Sequence, residues 1–231
     1  MRRRIRSTVV ITTVTFRPPS PGVRTMMFRT SCVVSCAAAL SLAGVTLGSA
    51  LGAPLGAQTP PPVAEQITAA TQALPKEMRD GAGVMGYKTA GKLEWLRPTK
   101  NGMMCLADDP AEEEFHVSCY HDSMDPFMAR GRALRASGVK GGQVDTVRFA
   151  EVKAGKLKMP TAPASLYQIF GAKDAFDAAS GTVKKGNPLF VVYIPFATTA
   201  TTGISTTPSD TKPWLMFAGT PKAHVMFSLT M

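Results

Sequence analysis

The first 57 residues contain no acidic side chain and no lysine, and the full chain has only three histidines, four cysteines and two tryptophans. Each scarcity excludes something. A segment with seven arginines (positions 2, 3, 4, 6, 17, 24 and 29) and no acid to balance them does not read as part of a folded domain. Three histidines, His116, His121 and His224, are the full supply of imidazole for any metal or acid–base site. There is no G-x-S-x-G, no H-x-x-x-H, no H-E-x-x-H and no internal repeat.

What the N-terminus does have is an apolar run from Cys32 to about Leu55, rich in Ala, Leu, Val and Gly. It ends in Leu55-Gly56-Ala57, a small-x-small cleavage signal, followed by Gln58-Thr-Pro-Pro-Pro. That order is the pattern of a secretory signal peptide, so residues 1–57 are expected to be a leader and 58–62 a Pro-rich linker. Met26-Met27-Phe28-Arg29 supplies the basic-then-apolar order better than Met1 does, which makes 1–25 an expected upstream extension. The run is long enough to span a bilayer, but its Gly, Ala and Pro54 favour cleavage over anchoring. Val33-Val34-Ser35-Cys36 is no lipoprotein box, because the apolar run follows that cysteine. The expected location is the periplasm or the outside of the cell, with no membrane span in the mature chain.

Seven of the 26 basic residues belong to the leader, so residues 58–231 keep 19 bases against 16 acids, a net charge of about +3. The high pI is therefore mostly a property of the leader, and a nucleic-acid partner is not expected. Cys32 and Cys36 leave with the leader. Cys105 and Cys119 remain, and an exported chain with two cysteines is expected to pair them. Closing so short a loop stabilises by about 3 kcal/mol on the chain-entropy model.

Periodicity gives the architecture. Val63, Ile67, Ala70 and Leu74 are spaced for one helical face, and Pro75 interrupts them. Segments 83–88, 92–97, 103–107 and 115–120 read as strands, with turns at Thr89-Ala-Gly91 and Lys100-Asn-Gly102, and suggest an antiparallel meander. Met124, Phe127, Met128, Gly131 and Leu134 define a second helix over 123–136. Segment 145–154 carries both signals, and its flanking Asp145 and Gly155 favour a helix. Segments 165–170, 189–196 ("LFVVYIPF", a central buried strand), 214–217 and 223–229 complete the strands. The expected class is α+β: one domain over 63–231, a mainly antiparallel sheet with a few packed helices.

Chemistry concentrates in "CLADDPAEEEFHVSCYHD", residues 105–122. The candidate metal set, for a divalent ion, is His116, His121, His224 and Asp122, the basis of an alternative reading as a metal-dependent, hydrolase-like enzyme. On a continuous strand the five-residue spacing of His116 and His121 puts them on opposite faces, so convergence requires the strand to end near Tyr120. The acidic turn lacks the ligand spacing and glycine of a calcium loop. Met103-Met104-Cys105 and His224-Val-Met226 invite a copper reading, against which Met124 and Met128 fit a helix's core face. Ser209-Asp-Thr-Lys212 and Ser137-Gly-Val-Lys140 match a bare S-x-x-K, but prolines and a glycine deny both the helix start that motif needs. No catalytic constellation emerges. Segment 128–158 holds eight cations against Asp145 and Glu151, a face for an anionic envelope component, with too few aromatics for single-stranded nucleic acid.

Asn101-Gly102-Met103-Met104-Cys105-Leu106-Ala107-Asp108-Asp109-Pro110, followed by Cys119 and a helix, resembles the motif N-G-x-x-C-x-x-D-x-P of an uncharacterised family of exported bacterial proteins. The family's C-terminal P-H-[IV]-M has a looser counterpart in Pro221-Lys-Ala-His224-Val-Met226, two residues longer. Here Lys100 also stands between Thr99 and Asn101. The resemblance implies export and a paired Cys105–Cys119, draws attention to His224, and implies no activity.

Overall fold

The computed structural model describes residues 59–228; the leader, cleavage signal and upstream extension expected over 1–57 lie outside them. The linker's end is tied down rather than loose: Pro62 sits at the N-cap of the first helix, α1 (Val63–Thr71), and the Pro61 carbonyl accepts a hydrogen bond from the Gln66 amide at 2.7 Å. A 3-10 turn follows (Lys76–Met78), then strands β1 (Gly83–Thr89), β2 (Lys92–Arg97), β3 (Met103–Leu106) and β4 (Glu114–His121). Helices α2 (Asp125–Ala136) and α3 (Gln143–Lys153) precede β5 (Ala164–Ala172), the small hairpin β6 (Phe176–Asp177) and β7 (Thr182–Val183), and β8 (Gly186–Tyr193). A single turn, α4 (Thr199–Thr202), and strands β9 (Trp214–Met216) and β10 (His224–Ser228) close the described chain. The fold is α+β. Eight strands form one sheet in the order β2-β1-β3-β4-β5-β8-β10-β9.

The sheet is antiparallel except at one pair, and that pair corrects the meander. β3 lies beside β1, parallel to it, and β2 is an edge strand. The chain after β2 crosses the start of β1 instead of folding back on β2. Lys100 donates its N–H to the Gly81 carbonyl at 2.7 Å, and the Asn101 side chain donates to the Met78 carbonyl. Gly83 makes room, since a Cβ there would lie 2.7 Å from the Thr99 nitrogen. The Asn-Gly turn is real, with Gly102 at φ 76°, but it opens the crossing and not a hairpin.

The helix reading of 145–154 is correct, starting two residues early. It is held by buried Val144 and Arg148 and by Phe149 and Val152 against the core. β8 stops at Tyr193, short of the expected Phe196, because Pro195 has no N–H for a ladder.

Each sheet face has its own cover. On one side α1 and the turn after it pack Ala70 and Leu74 onto Val84, Cys105 and Cys119, with Phe115 and Val117 alongside. Cys105 and Cys119 are direct cross-strand partners, fully buried and disulfide-bonded. On the other side Met124 and Phe127 cover Met104, Tyr120, Leu166, Val191 and Tyr193, with α3 outside them. Gln66 closes a gap in the ladder. β3 ends opposite Met85, so Tyr87 lacks a neighbour there, and the Gln66 amide bonds both its N–H (2.8 Å) and its C=O (2.7 Å). Gly86 permits the approach, because a Cβ would come within 2.6 Å of the Gln66 oxygen.

Candidate functional site

The expected metal set does not assemble. His116 and His121 occupy opposite faces of one unbroken strand, β4, since the chain turns after His121 and not after Tyr120. His121 caps the 122–124 turn: its Nδ1 accepts from the Ser123 N–H at 3.3 Å and lies 2.8 Å from the Ser123 hydroxyl. Asp122 starts that turn, 3.5 Å from His121. His224 is on β10, with β5 and β8 between it and β4, which is roughly 14 Å at ordinary strand spacing. Its ring is buried between Tyr193 and Phe217, and its Nδ1 donates to the Lys222 carbonyl at 2.7 Å. Burial holds its pKa below the usual range for histidine. Among the described residues no group of three or more His, Cys, Asp or Glu is placed to hold a metal ion.

The acidic turn is tied down at its first two carboxylates, while Glu112, Glu113 and Glu114 are exposed. Asp108 pairs with Lys173 at 2.8 Å and accepts the His116 N–H at 2.9 Å. Asp109 accepts the Tyr87 phenol at 3.0 Å and the Ala111 N–H at 3.0 Å. These contacts fold the turn against the end of the sheet.

What does assemble is a cleft on the α2 side. Strand alternation points His116, Ser118 and Tyr120 to this face. α2 covers Tyr120, while His116 is exposed and Ser118, though buried, lines the cavities beside it. Two cavities of about 170 and 190 Å³ lie here, sharing Leu106, Ser118 and Arg132 in their walls. The first reaches Tyr87, Asp109, Glu112 and His116; the second reaches Arg135, Gln168 and Tyr193.

The polar groups of the cleft are held in place. Arg132 donates to the Tyr120 hydroxyl at 2.7 Å and to Asp125 at 2.9 Å, while Tyr120 donates to the same Asp125 oxygen at 2.8 Å. Burial raises the Tyr120 pKa well above the phenol range, so its proton stays in this triangle. His116 stacks on Phe170 with ring centroids 4.3 Å apart and lies 3.0 Å from the Gln168 amide nitrogen. Desolvation lowers its pKa against the opposing pull of Asp108. Ser118 is only 7% exposed, yet its hydroxyl reaches the cleft: among the described residues the buried side-chain atoms without a partner are Thr99 Oγ1 and Arg148 Nε, not Ser118 Oγ. It stands two residues from His116, about 7 Å along the strand, so the pair is no nucleophile and base in contact.

The basic segment divides. Arg130 is bidentate to Glu151, Arg132 is held by Asp125, and buried Arg148 pairs with Asp145 while its guanidinium lies 3.8 Å above the Phe127 ring. Arg135, Lys140, Lys153, Lys156 and Lys158 are exposed and make no ion pair with any described residue. No family model, no curated protein and no solved structure matches the chain.

Sequence reasoning singled out His116 but missed Ser118, Tyr87 and Gln168, and counted Arg132 only as surface charge. The alternation of β4 was the available signal. The depth of the cleft depends on where α2 lies, which alternation does not tell.

Proposed function

We propose that this chain is an exported protein of the bacterial envelope that holds a small polar molecule in the cleft above β1, β3, β4 and β5. Ser118 carries the reading: it lines both cavities, and its hydroxyl, open to the cleft and not taken up by the protein, offers a hydrogen bond to whatever fills them. The mixture of Leu106 with fixed phenol, guanidinium and amide groups suits recognition more than covalent chemistry. Export is supported by the basic and apolar leader, by the family resemblance, and by a disulfide, which an oxidising compartment preserves. The five exposed cations over residues 135–158, in α2, α3 and the loops after each, supply a second, weaker face for anionic envelope material.

The test is native mass spectrometry and calorimetry on purified protein with sugars, organic acids and amino acids, comparing wild type with Ser118→Ala and Ser118→Leu. A bound class whose affinity drops with Ser118→Ala and vanishes with Ser118→Leu is the expected result. Retention of that affinity in a folded Ser118→Leu protein overturns the cleft as the binding site.

A further inference from the structure

We infer that the cleft takes a zwitterion, an α-amino acid, with its carboxylate toward Arg132 and Arg135 and its ammonium toward Asp109 and Glu112. This rests on the cleft being the binding site and names what fills it.

The walls carry opposite charges that do not meet. Arg132 shares a cavity of about 170 Å³ with Asp109 and Glu112, yet its ion pair is with Asp125. Arg132 and Asp109 are each fixed by second contacts. Tyr120 and Asp125 hold the guanidinium, and its three remaining N–H groups stay unused among the described residues. Tyr87 and the Ala111 N–H each hold one oxygen of Asp109. Unrestrained side chains of opposite charge across so small a space would close on each other. Here the gap is kept open, and a ligand bearing both charges matches it without bringing a net charge into the cleft.

The remaining surfaces agree. The ligand's Cα, between its two charged ends, would lie over Ser118, which lines both cavities. The adjoining cavity, walled by Leu166, Met128 and Tyr193, receives an apolar or amide side chain. A plain carboxylic acid would leave Asp109 and Glu112 without a cation, and a sugar would hydrogen-bond to both walls without neutralising either. A long peptide exceeds two cavities of about 170 and 190 Å³.

The experiment is calorimetric titration of the intact, oxidised protein with each of the twenty free L-amino acids, then with the N-acetyl and the carboxamide forms of the tightest. The expected result is a preferred amino acid that loses about tenfold or more in affinity when either end is capped, one charged hydrogen bond being enough for that. Arg135→Gln should weaken the free acid several-fold but leave the carboxamide unchanged, and Glu112→Gln should do the same for the amine end. Both side chains are exposed, so these variants keep the fold. Equal binding of capped and free forms overturns the zwitterion. So does the absence of any amino-acid binding below about 1 mM. If an acid or sugar then binds and Ser118→Leu abolishes it, the cleft survives and only the ligand class falls. If amino-acid binding survives Ser118→Leu, both fall.

Discussion

The two faces of the sheet are built from the same strands and do opposite things. Under α1 the side chains are small, apolar and almost wholly enclosed: Ala70, Val84, Cys105, Val117 and Cys119 have no measurable exposure. A polar group admitted there, Gln66, is used by the Tyr87 backbone and the Pro61 carbonyl. Under α2 and α3 the enclosed part ends at Tyr120 and Tyr193, and beyond it the strands present Tyr87, His116, Ser118 and Gln168 to an open cleft. The connections explain the difference. α2 leaves β4 through the three-residue turn at Asp122–Met124, which commits it to that end of the sheet. One face therefore holds the strands in register, and the other is free to carry charged and polar side chains.

The strongest way to break this division is to remove the disulfide. Cys105→Ser with Cys119→Ser should lower stability by about 3 kcal/mol, seen as a lower urea midpoint. Both side chains point toward α1, so ligand affinity under native conditions should stay within about twofold of wild type. A large loss of affinity in the folded double variant would mean that the two faces are not separable.

Gln66→Leu is the next largest. It leaves the N–H and C=O of Tyr87 buried without partners, at a cost of about 2 kcal/mol in the same urea titration. Unlike the cysteine change it should also weaken cleft binding a few-fold, because the Tyr87 phenol on the opposite side is what fixes Asp109. If the two variants affected binding equally, Tyr87 would lose its place as the link between the faces.

The closed face was the more legible of the two. Apolar residues at helical spacing marked α1, alternation marked β4, and two surviving cysteines marked a pair that proves to be in direct register. These signals are local, or depend on a single pairing. The parallel β1–β3 contact was not legible, because it depends on Gly83 letting residues 98–102 pass close by. The β6–β7 hairpin was missed for lack of length, two residues a strand. At the site, His116 was found by residue type while Ser118 was passed over, since a serine in a strand looks ordinary until its neighbours are known. The His121 and His224 expectation failed for a geometric reason. Sequence gave three imidazoles but not the strand order that sets His224 two strands beyond β4's neighbour-to-neighbour reach.

The smallest expected effect concerns pH and belongs to the open face, where both His116 and His224 lie. Burial lowers the pKa of each below the ordinary value of 6.5, so the folded protein binds fewer protons than the unfolded chain as pH falls through that value. Stability is therefore complete above about pH 7 and declines as the solution is acidified through the unfolded pKa toward the lower folded ones. The two should not contribute equally. His224 is 5% exposed, so desolvation outweighs the opposing hydrogen bond to the Lys222 carbonyl, while His116 lies at the cleft mouth with Asp108 pulling the other way. Unfolding free energies measured in urea at pH 7.5 and pH 5.5 should show His224→Gln flattening the slope more than His116→Gln. Saturating amino acid should in turn steepen the slope left by His224→Gln, if a ligand seated beside His116 shields it further from water. A slope indifferent to both substitutions would place the acid-sensitive groups elsewhere, among the carboxylates that pair with Lys and Arg on either face.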